Sequence, residues 1–287
     1  MDFEQRNLVT NLLEVIKGGG IPVSIEISPP ESQTETQRLL LRIDGIYARC
    51  HLQFCAVTWH LRNFSNTHGI NFKAIQFAHN LQIRNKEVLL HVAAKRLNRE
   101  NVLQILKELQ SLKINNIFAL RGDDVGTISQ DYFLYAEQLV RFIREKTGEE
   151  MVICVAGYPN GHPEGESYRS DLIYLREKVK AGANFIITQI ILEAETFNCF
   201  VRDCQDLGIN VPILAGIMPI QDYNSFKRMS NICHLEIPKH IETTLQSIQE
   251  NPETVKNFGI FHAVMTVKGI LSARNSLCGL HFFTMNR

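Results

Sequence analysis

Glu26 stands inside a mostly apolar run, VSIEI (23–27), and Asp123 closes another, IFALRGD (117–123). A carboxylate inside a buried strand is costly unless it is neutral or paired. Burial raises its pKa, which suits a general acid working near neutral pH. The alternative is a structural glutamate paired to an interior lysine. Charge directly past an apolar strand, as at Arg121-Gly122-Asp123, is found where parallel α/β sheets bind ligands. On its own it reads first as an ordinary strand with a solvated turn. The pattern recurs, however: Thr58, His91, Tyr158, Gln189 and Arg287 also lie at or just past the C-terminal ends of apolar runs. Seven polar strand ends on eight strands are hard to assign to chance turns.

The elements that must position these groups alternate. Apolar runs predict strands at 23–27, 54–57, 87–92, 115–123, 151–156, 185–189, 212–217 and 280–284. Helical spacing predicts helices at 4–17, from Ser32 to about 48, at 69–80, from Asn98 through Leu112, from Ser129 through Phe142, at 169–181, 195–206, 223–229 and 251–274. Ser32 with Glu35 forms a capping box, Lys17 before three glycines is a stop, and Asn251-Pro252 is a start. Eight β/α units in 287 residues predict one α/β domain, a (β/α)8 TIM barrel with an extra N-terminal helix and no final closing helix. An open doubly wound sheet is the alternative. It is disfavoured because no G-x-G-x-x-G turn follows the first strand. In a barrel the seven polar ends converge on one mouth.

Composition excludes several classes. Lys+Arg and Asp+Glu balance at 30 each, so no global field draws nucleic acid or an anionic membrane. No apolar run approaches the roughly 18 residues of a membrane span, and no signal-peptide core follows the polar N-terminus. The seven cysteines form no C-x-x-C pair, which fits a reducing, cytoplasmic setting without a zinc site or disulfide frame. Arg121-Gly122-Asp123 is also an integrin-type triplet, a reading that a cytosolic barrel does not favour.

The residues then match a family. SIEISPP (24–30), VTWH (57–60), ALRGD (119–123), VAGYPNGHPE (155–164), LREKVKAGANFIITQ (175–189), GIMPIQ (216–221) and GLHFFTMNR (279–287) together resemble the catalytic half of eukaryotic methylenetetrahydrofolate reductases. The resemblance implies a barrel that passes hydride from NADPH or NADH to FAD. From FAD it goes to 5,10-methylenetetrahydrofolate, giving 5-methyltetrahydrofolate for methionine synthesis in one-carbon metabolism. It implies Glu26 and Asp123 as catalytic residues, the first as acid and the second through electrostatics. It implies folate contacts at Glu26, Asp123, Gln189 and Arg287. For FAD it implies Thr58, Trp59, His91, Arg121, Gly122, Asp123, Tyr135, Ala136, Tyr158, His162, Pro163, Glu164, Gly165, Asp171 and Lys178. From residue patterns alone, Tyr135 reads as a helix-face core residue and His91 as a satisfied core histidine.

Three places depart from the family pattern: Val92-Ala93 after His91, Asp124 after Asp123, and Ile190-Ile191-Leu192 in place of an aromatic run. The last predicts a thinner stacking wall. The chain also stops at the eighth strand, which predicts no regulatory domain, no inhibition by S-adenosylmethionine, and a homo-oligomer whose second chain, or the N-terminal helix, covers the β8 flank. Against the reductase stand a non-catalytic flavin- or folate-binding barrel and another FAD barrel such as a proline-dehydrogenase-like oxidase. The order of the motifs argues against the last.

Overall fold

The computed structural model describes residues 7–59, 73–93, 97–122, 133–273 and 275–286. Eight parallel strands close on themselves in sequence order: β1 (Val23–Ile27), β2 (Leu52–Val57), β3 (Val88–Ala93), β4 (Asn116–Leu120), β5 (Val152–Gly157), β6 (Phe185–Ile190), β7 (Ile213–Ile217) and β8 (Cys278–Phe283). The seam is the β1–β8 pairing, which sets Ser24 opposite His281 and Glu26 opposite Phe283. The expected (β/α)8 barrel is therefore the fold.

Strand alternation sorts the core into two layers. Residues such as Ile25, Cys55, Leu90, Ile117, Ile153, Ile186 and Ala215 face outward into the helical shell. Their neighbours Phe54, Ala56, Leu89, Phe118, Cys154, Phe185, Ile187 and Leu214 fill the interior. The shell begins with α2 (Gln33–Tyr47), α3 (Lys73–Gln82), α4 (Arg99–Ser111) and α5 (Ala136–Thr147). It continues with α6 (Tyr168–Lys180), α7 (Ala194–Asp206), α8 (Tyr223–Ile232), α9 (Lys239–Ile248) and α10 (Pro252–Ser272). The Ser32–Glu35 capping box is formed in both directions, and Asn98 and Asn251 cap α4 and α10.

The N-terminal helix α1 (Leu8–Lys17) does not lie against the β8 flank. Its fully buried Leu8 and Leu12 join the interior cluster with Phe54 and Phe185, so it closes one end of the barrel. Leu280 on β8 is itself buried in the outer core, with Phe282 packed against that core. That face is thus covered within one chain, and the reason given for a second chain falls away.

Two further expectations are corrected. Residues 133–135 are not helical, and α5 begins at Ala136 with Tyr135 as its N-cap. Tyr135 is 61% exposed, so it does not sit on a buried helix face; Ser129 lies outside the described residues. Helix α9 was not foreseen, although Ile241, Leu245 and Ile248 fall at helical spacing and the first two are buried. Among the described residues no helix is long and apolar enough to cross a membrane.

Candidate active site

Because all eight strands are parallel, their C-terminal ends share one rim. Glu26 projects there from β1 between apolar outward-facing neighbours Ile25 and Ile27. Its side chain is 18% exposed, and its Oε2 lies 3.6 Å from His91 Nε2 on β3. Burial pushes its pKa from 4.5 up to about 7. The group is therefore poised to be protonated or ionised near neutrality, which is what general acid–base work requires. Thr284 Oγ1 donates to the Glu26 carbonyl at 2.7 Å, tying the segment after β8 to β1. Asn286 bridges the same two segments through Ser28. Thr58, buried past β2, donates to Ser28 Oγ at 2.9 Å, and Trp59 beside it is also buried.

A second group gathers over β4, β5 and α6. Arg121 is ion-paired with Glu164. Gly122 has φ +82°, which a side chain would strain. Tyr158 and His162 meet edge to face at 4.6 Å. The His162 backbone N–H donates to Asp171 Oδ2 at 2.6 Å, and its Nδ1 accepts from the Glu164 N–H at 3.0 Å. Asp171 packs so close beneath Gly165 that a Cβ there would stand 2.5 Å from its carboxylate. A side chain at Gly165 would therefore displace the Asp171 carboxylate, and Pro163 lies in the same turn. Burial, then the nearby Arg121 charge, hold His162 below its usual pKa. Lys178 reaches in from α6 to donate to the Ala156 carbonyl at 2.7 Å, and burial lowers its pKa to about 8.

Gln189 lies where the β6–β7 register shifts. A bulge of this kind re-aims a side chain at a barrel rim. Gly216 on β7 makes room, since a Cβ there would meet the Thr188 and Gln189 carbonyls at 2.5 and 2.9 Å. Gln189 Oε1 accepts from the Ile190 N–H at 2.9 Å, and Gln189 shares a small cavity with Tyr158, Gly161 and Pro163. A larger cavity of about 240 Å³ opens beside β7 and β8, between Met218, Phe226, Met229, Phe283 and Thr284, with Gln221, Asp222 and Arg228 on its edge. Ile190 and Leu192 are buried in a satellite core with Met218, Ile220 and Phe226.

The structure therefore joins Glu26 to His91, and Arg121, Tyr158, His162, Glu164, Asp171 and Lys178 to one another. Tyr135 and Ala136 stand at the start of α5, with Tyr135 exposed. Asp123 and Arg287 lie outside the described residues. Sequence reasoning missed Ser24 and His281, a fully buried pair bonded at 2.8 Å. Their signal was two polar residues at inward positions of apolar strands. Among the described residues no group of three His, Cys, Asp or Glu is placed to hold a metal.

The model of the family described as methylenetetrahydrofolate reductase matches residues 11–287. The chain belongs to the methylenetetrahydrofolate reductase family. A Caenorhabditis elegans protein named probable methylenetetrahydrofolate reductase (NADPH) is 36% identical over 267 residues, 92% of this chain and 40% of the relative. An Arabidopsis thaliana protein named methylenetetrahydrofolate reductase (NADH) 1 is 34% identical, over 97% of this chain and 48% of the relative. The chain thus spans a little under half the length of these relatives. Among solved structures, an uncharacterized protein from Clostridium thermocellum, said to bind two copies of 5-methyl-5,6,7,8-tetrahydrofolic acid, matches with a TM-score of 0.67. The match has 12% identity and covers 96% of this chain and 92% of that one. At that identity it shows the fold.

Proposed function

We propose that this barrel reduces 5,10-methylenetetrahydrofolate to 5-methyltetrahydrofolate at the expense of a nicotinamide, with FAD bound along β4, β5 and α6. The observation that carries the reading is Glu26: a carboxyl on the rim, beside His91, held near a pKa of 7 by burial. The donor set fits the flavin nucleotide. Arg121 and Lys178 supply positive charge for a pyrophosphate, the N-terminus of α6 adds its dipole, and Gly122 allows close backbone approach. When bound, FAD supplies the hydride relay between nicotinamide and folate.

The protein's own part is to bind, orient and move a proton. Protonated Glu26 donates to the departing nitrogen of the imidazolidine ring, opening it to the electrophilic iminium. The proton moves from the Glu26 carboxyl to that nitrogen, leaving a carboxylate facing a cationic carbon. Asp123, assigned through the family likeness, adds negative charge that stabilises the same cation. Gln189 both donates and accepts, which suits the pterin edge. The cavity beside Phe283 and Thr284 adjoins Glu26 through the Thr284 hydrogen bond and takes the part of the folate beyond the pterin, with Arg287 as a further anchor. The free cysteines support a cytoplasmic setting.

The test is spectroscopic. Purified protein is expected to carry bound flavin, to lose its visible absorbance with NADPH or NADH without oxygen, and to regain it on adding methylenetetrahydrofolate. Bleaching without recovery would remove the folate from the reading. Protein that never takes up flavin would remove the reductase.

A further inference from the structure

Between Ile187 and Ile190 the sixth strand slips against the seventh. Ile187 stands opposite Leu214 and Ile190 opposite Gly216, so Thr188 and Gln189 together face Ala215 alone. The other edge of the strand stays regular, with Thr188 opposite Gly157 on β5. An extra residue of this kind leaves ladder groups unpaired and re-aims a side chain. Gln189 is the one residue of β6 that is not buried.

Two backbone N–H groups at the slip are met by the side chains of the Thr-Gln pair rather than by strand carbonyls. The Gly216 N–H donates to Thr188 Oγ1 at 2.9 Å, and the Thr188 hydroxyl donates in turn to the Gln189 carbonyl at 2.9 Å. The Ile190 N–H donates to Gln189 Oε1 at 2.9 Å. Beyond the slip the strands pair again, with the Ile191 N–H on the Gly216 carbonyl at 2.7 Å. Thr188 is 1% exposed, so its hydroxyl is shielded from solvent, and a buried N–H left without an acceptor is costly. The bond to Ile190 also fixes the sense of the Gln189 amide, since only its oxygen can accept. Gln189 Nε2 makes no hydrogen bond among the described residues. It is the end left for the cavity shared with Tyr158 and Pro163.

We propose that Thr188 is a positioning residue for the folate: its hydroxyl straps Gly216 to the Gln189 carbonyl and so holds the slip that turns the Gln189 amide to the rim with its Nε2 protons outward. The pterin atom met there is then an acceptor, a ring nitrogen or a carbonyl oxygen. Valine has the shape of threonine without the hydroxyl. In its place the Gly216 N–H is unmet, which favours a register that returns it to a strand carbonyl. A one-residue change of register turns the side chains beyond it to the other face of the strand, and Gln189 leaves the rim. The inference rests on the proposed contact of Gln189 with the pterin.

Reoxidation of reduced, flavin-loaded protein is measured against methylenetetrahydrofolate concentration. In Thr188→Val the half-saturating concentration is expected to rise about tenfold, with the limiting rate within about threefold of wild type, the signature of lost binding rather than lost chemistry. Thr188→Ser keeps the hydroxyl and is expected to return the half-saturating concentration to near the wild-type value. No rise in Thr188→Val, or equal rises in the two variants, overturns the proposal. Should Thr188→Val fail to fold, the wild-type protein decides. Adding 5-methyltetrahydrofolate is expected to shift the Gly216 amide resonance and to slow its exchange with solvent, and an unmoved Gly216 amide overturns the proposal. Gln189→Ala separates the two failures. A rise there without one in Thr188→Val overturns the strap alone. No rise there removes the pterin contact of Gln189, and the role of Thr188 with it.

Discussion

The two ends of the barrel are built from the same strands and do opposite things. At the N-terminal end α1 inserts Leu8 and Leu12 against Phe54 and Phe185, and the interior cluster there is apolar. At the C-terminal end the same alternation presents Glu26, His91 and Gln189, with Arg121 and Lys178 behind them. One end holds the fold together. The other carries a carboxyl at a pKa of about 7, well above its usual range, which costs stability once it ionises. The proposed site sits where the strands stop satisfying the core, and the floor supplies the stability that lets them do so.

That contrast can be broken from either end. Leu12→Ala opens a cavity in the floor and is expected to cost about 3 kcal/mol in chemical denaturation, with the flavin spectrum and the folate half-reaction of the folded protein retained. Loss of flavin chemistry in a folded Leu12→Ala protein would show that the ends are not separable.

At the rim the sign reverses. The Glu26 pKa is raised from 4.5 to about 7, so the folded state binds the proton more tightly than the unfolded chain. Stability is then highest below pH 4.5 as far as this group is concerned, falls through 4.5 to 7, and stays reduced above. Glu26→Gln removes that dependence. It is expected to stabilise the protein at pH 8 by at most about 3 kcal/mol and to have little effect at pH 4.5. Thermal melts at the two pH values check it, and equal shifts at both would contradict the cause assigned to the pKa.

A smaller effect is expected at Lys178. Lys178→Met removes a buried cation from the proposed flavin site and is expected to weaken FAD binding about tenfold, roughly 1.4 kcal/mol. The melting temperature of the flavin-free protein should not fall, since desolvation of the ammonium is relieved. Titration of apoprotein with FAD measures it.

Much of this was legible in the letters. Unbroken apolar runs such as IFAL and ILAGI marked strands buried on both faces, and Ser32, Asn98 and Asn251 marked helix starts that the structure confirms. Glu26 stood out because a charge in such a run needs a reason. Helix α9 was passed over because His240, Thr243 and Thr244 dilute its apolar face, although Ile241 and Leu245 bury it. The Ser24–His281 pair was illegible for another reason. A serine and a histidine are ordinary in strands, and only barrel closure, which brings β8 beside β1, sets them 2.8 Å apart. Gly216 and the bulge at Gln189 are likewise properties of strand pairing rather than of either segment.

The central claim is that Glu26 serves folate chemistry alone, and anaerobic stopped-flow on flavin-loaded Glu26→Gln measures it most directly. Bleaching of the flavin by nicotinamide is expected to proceed at close to the wild-type rate. Its reoxidation by methylenetetrahydrofolate is expected to slow by about 10²- to 10⁴-fold, the range typical of a lost general acid. Reoxidation at the wild-type rate, or equal slowing of both steps, would contradict the role given to this carboxyl.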